Sequence, residues 1–191
     1  MSTPMESGPR KHRITVDEYH RMAEIGLLAA DTRVELIEGE IIDMPPIGSD
    51  HGSVVDQLTQ LIVQAVTGRA IVRVQGAVRL SSSSEPQPDV AMLRLRPDFY
   101  RHEHPTGPNT LLVIEVSDTS LRYDRDVKVP LYARHEVPEV WLVDLNGERV
   151  LFYRKLVDGA YQDQFSESRP AEASPLALPE AVLDLRAIFA A

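Results

Sequence analysis

The stretch Thr110-Leu-Leu-Val-Ile-Glu-Val-Ser117 decides the fold, because it is the most apolar run of the chain and predicts a central β-strand. Five of its eight residues are Leu, Val or Ile, as expected of a strand buried on both faces of a sheet. Glu115 interrupts the run, and a buried carboxylate is costly unless it is paired or bound to a metal. The stretch therefore predicts the middle of the sheet and a polar site within it.

A second carboxylate is expected beside the first. Asp89 follows Pro88 at the start of a predicted strand that runs to Leu95, and it precedes Glu115 by 26 residues. That spacing allows a strand, a long connection and a return strand, so the two carboxylates can lie side by side. Paired carboxylates at a sheet edge suit a hard cation such as Mg²⁺ or Mn²⁺. An arginine partner for Glu115, such as Arg73 or Arg79, is the alternative.

Lys128 lies on the helix predicted for residues 120–134, directly after the central strand. From there an ammonium can reach back to the same end of the sheet. It would hold an attacking water or offset negative charge that develops on a phosphate. A lysine on a helix is more often solvent-exposed, so its value as a signal comes from the order of the three residues.

Around this centre the sequence alternates helical and extended patterns. Thr15 and Glu18 form a capping box that starts a short helix ending at Gly26. A hairpin around Glu38-Gly39 follows. The remaining predicted elements are a helix from Ser49 or Asp50 to Gly68, a strand over 70–80 for which a break at Gly76 is the alternative, a strand over 139–144, a meander with strands 150–155 and 160–165, and a terminal helical turn over 182–189.

The composition excludes several classes of protein. The 191 residues include no cysteine, which rules out disulfides, Cys-ligated zinc and a thiol nucleophile. The net charge of −9 argues against a protein that coats nucleic acid with a broad basic face, but not against a small local site. We expect a flexible tail over 1–14 and a single domain over 15–191. We also expect a cytoplasmic protein without a membrane segment, because no signal-peptide core or long apolar run occurs.

The motifs in their order resemble a known family. They are Pro88-Asp89, Glu115-Val-Ser117, the helical residues Asp124, Lys128 and Tyr132, the run Val137-Pro-Glu-Val-Trp-Leu-Val-Asp144, and, before them, Tyr19, the run Val34-Glu-Leu-Ile-Glu-Gly-Glu-Ile-Ile42 and Ser49-Asp-His51. This arrangement resembles the Uma-two group of endonucleases in the PD-(D/E)XK superfamily. The resemblance extends from about Thr15 to the end of the chain.

The resemblance implies a restriction-endonuclease-like α/β fold: a mixed sheet flanked by helices, with an N-terminal helix and hairpin and a C-terminal β meander. It implies that Asp89 and Glu115 bind the divalent metal, and that Glu35 is an acidic residue near it, with Glu38 and Glu40 as competitors. The chain departs from the superfamily at Ser117, where a lysine is usual. The lysine function would then belong to Lys128.

Three histidines are further candidates. His51 opens a predicted helix, where an imidazole can meet a phosphate or a metal-bound water, although a surface role or partial cap is more common. His102 and His104 have the His-x-His spacing of metal ligands, but we expect them in a solvated loop. Gln87, beside Pro88, can touch the site. Trp141 and Tyr132 are expected to pack under the sheet and helix.

The sequence therefore predicts a Mg²⁺- or Mn²⁺-dependent endonuclease that hydrolyses phosphodiester bonds of DNA. Asp89 and Glu115 would hold the metal, Lys128 would position the water, and Glu35 and His51 would support them. A catalytically silent nucleic-acid-binding or assembly module with the same fold is one alternative. A carboxylate-pair hydrolase acting on a glycoside is another. A homodimer is expected, because nucleases with this core often pair and the meander offers strand edges.

Overall fold

The computed structural model describes residues 9–29 and 31–190, which form a six-stranded sheet with helices on both faces. The helices are α1 (Val16–Glu24), α2 (Ser49–Val66), α3 (Leu121–Tyr123) and α4 (Val129–Arg134); a π-helical turn (Asp124–Lys128) joins the last two, and a 3₁₀ turn covers Gly107–Asn109. The strands are β1 (Val34–Ile37), β2 (Glu40–Asp43), β3 (Ala70–Val74), β4 (Val90–Arg94), β5 (Thr110–Ser117), β6 (Val140–Asp144), β7 (Arg149–Val157), β8 (Ala160–Ser168), β9 (Glu172–Ala173) and β10 (Leu183–Asp184).

The main sheet has the order β3-β4-β5-β6-β7-β8 and is mixed. Only β5 and β6 run parallel, while the other neighbours are antiparallel. The predicted restriction-endonuclease-like mixed α/β fold is thereby confirmed. The strand predicted from Thr110 to Ser117 occupies a central position and is buried along its whole length.

The alternation of side chains along β5 assigns its residues to two cores. Leu112 and Ile114 face the core that contains the apolar side of α2. Val113 faces the opposite core, with Tyr132 and other residues of the helical segment 121–134. Since successive strand residues point to opposite faces, Glu115 lies on the same side as Val113 and faces the helical segment.

The predicted hairpin forms from β1 and β2, with Glu38 and Gly39 at its turn. Both residues have positive φ, 48° and 76°, as a two-residue hairpin turn of type I′ requires. A Cβ on Gly39 would lie 2.7 Å from that of Arg13. Arg13 also donates to the Glu38 carbonyl at 2.7 Å. Part of the predicted tail 1–14 therefore contacts the hairpin, while residues 1–8 lie outside the described part of the chain.

Two predicted elements are wrong in extent or type. The strand predicted over 70–80 ends at Val74, because Gln75 adopts φ 46°, a left-handed conformation that an extended strand does not have, although its N–H still donates to the Asp89 carbonyl at 3.0 Å. The helical turn predicted over 182–189 is instead β10 followed by a turn. There the Asp184 carboxylate accepts the backbone N–H of Arg186 at 3.1 Å, a local bond that competes with helix formation.

No helix in the described residues is both long and apolar enough to cross a lipid bilayer.

A buried charged cluster that the sequence did not indicate connects β6 and β7 to the C-terminal segment. Glu139 is fully buried and accepts hydrogen bonds from Trp141 Nε1 at 2.7 Å, Arg154 Nε at 2.6 Å and the Leu176 backbone N–H at 2.6 Å. A carboxylate with three donors is well compensated for its loss of water. The cluster therefore holds the tail against the sheet.

We predict that Glu139→Ala lowers the free energy of unfolding by about 3–5 kcal/mol, because the partly buried Arg154 guanidinium loses its carboxylate partner and the Trp141 and Leu176 N–H groups lose their acceptor. Urea denaturation measures the loss. The control is Glu167→Ala on exposed β8, expected to change stability by no more than about 0.5 kcal/mol. Equal stability of the two variants would contradict a structural role for the cluster.

Candidate metal centre

Asp89 and Glu115 lie close together at one end of the sheet. Asp89 immediately precedes β4, and Glu115 follows Ile114, the residue that pairs with Val90 across β4 and β5. The Val116 backbone N–H donates to Asp89 Oδ2 at 2.9 Å, which ties the Asp89 side chain to β5. Both carboxylates line a cleft of about 770 Å³, part of it open to solvent.

Lys128 faces Glu115 from the helical segment. Its Nζ lies 2.7 Å from Glu115 Oε1, and the lysine side chain is 1% exposed. Tyr132 donates its hydroxyl to the same oxygen at 2.5 Å. Since residues four apart stack on one helix face, Lys128 and Tyr132 approach the strand carboxylate together. Lys128 also lines the cleft.

Glu35 on β1 brings a second carboxylate to Lys128. Its Oε2 lies 3.3 Å from Nζ and also accepts the Gln87 backbone N–H at 3.2 Å, while its Oε1 is buried without a hydrogen-bond partner. The competing residues of the hairpin point elsewhere, since Glu38 pairs with Arg134 and Glu40 with Arg13. The resemblance had suggested Glu35, and the structure places Glu35, not its competitors, beside Lys128.

His51 lies in the first turn of α2 and contacts Asp89. Its Nε2 is 3.1 Å from Asp89 Oδ2, and its Nδ1 is buried without a hydrogen-bond partner. The hydrogen bond to Asp89 raises the pKa of His51, although burial opposes the shift. Gln75 reaches the other Asp89 oxygen at 3.4 Å, and Gln87 donates to the Val34 carbonyl.

Burial and neighbouring charges set the protonation of the site. Burial raises the pKa of Asp89. His51, the Val116 N–H and Lys128 together lower it by more than burial raises it, so the net shift is downward. Burial likewise lowers the pKa of Lys128, but Glu115 and Glu35 raise it well above its usual value. Burial raises the pKa of Glu115 to about 8 against the opposing effect of Lys128. A cation bound at Glu115 would therefore compete with a proton.

The donor set fits a hard divalent cation. Both described contacts of Glu115 fall on Oε1, and no hydrogen bond or ion pair among the described residues engages its Oε2. On Asp89, Oδ2 is held by Val116 and His51, and Oδ1 has only the long contact with Gln75. Each carboxylate thus keeps one oxygen for a ligand in the cleft, as an oxygen-coordinated Mg²⁺ requires.

Ser117, which stands where the superfamily usually has lysine, anchors the helical segment. Its hydroxyl donates to Asp124 Oδ2 at 2.8 Å, and the Ser120 hydroxyl reaches the same oxygen at 2.5 Å. Asp124 is buried and begins the π-helical turn that ends at Lys128. Such turns are rare and occur often at functional sites. Asp124 therefore fixes the position from which Lys128 reaches Glu115.

Sequence reasoning missed two of these contacts. Tyr132 was expected only to pack, yet its hydroxyl also binds Glu115. Asp124 had no assigned role. The spacing of Asp124, Lys128 and Tyr132, each four residues from the next, was a signal that all three share one helix face. The arginines considered as partners of Glu115 lie elsewhere, since Arg73 donates to the Ala77 carbonyl and Arg79 pairs with Asp17.

Comparison with known proteins gives a family and a fold. The model of the Uma2 family, described as "Putative restriction endonuclease", matches residues 16–186. A solved structure from Anabaena variabilis, described as a putative nuclease belonging to DUF820, is similar with a TM-score of 0.72 at 18% identity. That similarity covers 92% of this chain and 97% of the other. No curated protein matches the chain.

We predict that Tyr132→Phe destabilises the protein by about 1–3 kcal/mol, because the buried Glu115 carboxylate loses a donor. Tyr123→Phe is the matched control, since the Tyr123 hydroxyl is buried without a hydrogen-bond partner. Its removal is expected to be neutral or slightly stabilising. Urea denaturation compares the two, and an equal loss in both would contradict the role given to the Tyr132 hydroxyl.

Proposed function

Since the chain belongs to the Uma2 family, described as "Putative restriction endonuclease", we propose that it is a metal-dependent endonuclease acting on DNA. The observation that carries the proposal is the placement of Lys128 Nζ 2.7 Å from Glu115 in the cleft that Asp89 also lines. Two carboxylates and an ammonium at one cleft are the groups that hydrolysis of a phosphodiester needs.

Asp89 and Glu115 would hold the cation, Mg²⁺ or Mn²⁺. When bound, such an ion lowers the pKa of a coordinated water and stabilises negative charge on a phosphate. His51 and the Val116 N–H hold Asp89 Oδ2, which leaves Oδ1 with only the long contact to Gln75. Tyr132 holds Glu115 Oε1 in the same way.

Lys128 would position the attacking water. Its ammonium stays charged because Glu115 and Glu35 flank it, and Glu35 Oε2 at 3.3 Å fixes its direction. Glu35 therefore acts through Lys128, as a positioning residue. With Ser117 bonded to Asp124, the role that a strand lysine has in the superfamily would fall to the helix.

The charge of the chain fits a local contact with nucleic acid. Although the chain carries a net charge of −9, residues 61–135 contain ten basic and eight acidic side chains, and two of those acids are the proposed metal ligands. A bound divalent ion would make this region clearly positive. The homodimer and the cytoplasmic location remain predictions.

Two other functions share parts of this arrangement. A catalytically silent nucleic-acid-binding or assembly module would keep the fold without needing the buried ammonium. A glycoside hydrolase would use two carboxylates, but an ammonium held against one of them favours a phosphate substrate. Cleavage assays distinguish these functions.

We predict that Asp89→Asn lowers Mg²⁺-dependent cleavage by more than about 100-fold, because the metal contributes several kcal/mol to the transition state. Supercoiled DNA, single-stranded DNA and RNA are tested in parallel. Asp163→Asn on exposed β8 is the control and should cleave like the wild type. Absence of cleavage of every substrate by the wild type, or equal cleavage by Asp89→Asn, would contradict the proposal.

A separate prediction concerns Lys128. Lys128→Gln should abolish cleavage yet retain Mn²⁺ binding, because the lysine positions water and is not a metal ligand. Glu115→Gln should lose both. Isothermal titration with Mn²⁺ measures binding, and circular dichroism checks that each variant is folded. Cleavage at the wild-type rate by Lys128→Gln would exclude the role given to Lys128.

A further inference from the structure

A second group of potential metal ligands lies outside the cleft. His20 on α1, Glu85 in the loop between β3 and β4, and His104 in the connection between β4 and β5 converge from three distant parts of the chain. Their ligand atoms all lie within 4.8 Å of one another. Within residues 9–29 and 31–190, no other set of three or more His, Cys, Asp or Glu side chains forms a potential metal group of this kind.

Glu85 supplies a second, independent observation that points to a ligand at this group. Its side chain is 3% exposed, and its Oε1 lies 2.7 Å from His20 Nε2. Its Oε2 is buried without a hydrogen-bond partner. An unsatisfied carboxylate oxygen is costly in the interior, and a bound cation would compensate it.

The two imidazoles are suited to ligation. The rings of His20 and His104 lie edge to face with centroids 6.2 Å apart. His102, the other member of the His-x-His motif, is exposed and is not part of the group.

From this geometry we propose that His20, Glu85 and His104 form a Zn²⁺ site that ties α1 and the connection between β4 and β5 to the loop between β3 and β4. Two imidazoles and one carboxylate are typical zinc ligands, with a water to complete a tetrahedron. Mg²⁺, which prefers oxygen ligands, is a poor match for two imidazoles. The site shares no residue with the cleft, so the zinc proposal can be tested independently of the nuclease proposal.

Neighbouring positive charges limit the affinity of this site. Arg73 lies 3.5 Å from His104 Nδ1, although it also donates to the Ala77 carbonyl, and Arg79 is paired with Asp17. A Zn²⁺ ion would replace the hydrogen bond between His20 Nε2 and Glu85 Oε1.

The test is a titration of the full chain with Zn²⁺ and, separately, with Mg²⁺. The chain has six histidines, and NMR spectra of ¹⁵N-labelled imidazoles separate their signals. One equivalent of Zn²⁺ should shift His20 and His104, whereas Mg²⁺ should leave both unchanged. The signal of His51 reports separately on any ion in the cleft.

Two single substitutions complete the experiment. His104→Ala, at an exposed position, should weaken Zn²⁺ binding by more than about tenfold and remove the increase in Tm that Zn²⁺ gives the wild type. His102→Ala is the matched control in the same loop and should bind like the wild type. The proposal is overturned if Zn²⁺ shifts His51 alone, if His104→Ala binds as the wild type does, or if both variants lose affinity equally.

Discussion

The ammonium of Lys128, held between the buried carboxylates of Glu115 and Glu35, is the interaction on which the site depends. Three ionisable groups with exposures of 0–4% cannot remain in the interior unless they compensate one another. The contact joins the central strand, the N-terminal hairpin and the helical segment at a single point. It therefore fixes the local fold. It also keeps the Lys128 ammonium next to Glu115, whose carboxylate lines the cleft.

The central part of this arrangement could be predicted from the sequence because it follows from burial. A carboxylate within Thr110–Ser117 has no solvent on either side of the sheet, so Glu115 requires a partner. The role of Glu35 could not be predicted in this way. All four residues of β1 are buried, so alternation along the strand does not distinguish it from neighbouring positions, and only the family resemblance had suggested it. Its contact with Lys128 depends on how the hairpin packs against the sheet.

Other features depend on contacts between distant segments that no local pattern encodes. Glu139 binds Arg154 and the backbone of Leu176, which come together only when β6, β7 and the tail are assembled. The terminal segment illustrates the opposite error, since an apolar pattern predicted a helix where Asp184 bonds locally to Arg186. Helical spacing of apolar residues predicts a helix poorly where a short polar side chain can form hydrogen bonds with the nearby backbone.

The measurement that tests the proposed metal centre most directly is a crystal structure of the protein soaked in Mn²⁺, with anomalous scattering used to locate the ion. One ion is expected in the cleft, coordinated by oxygens of both Asp89 and Glu115 at roughly 2.0–2.3 Å, with Lys128 beside it and not bound to it. A cleft without an anomalous peak, or an ion that touches neither carboxylate, would contradict the proposed mechanism.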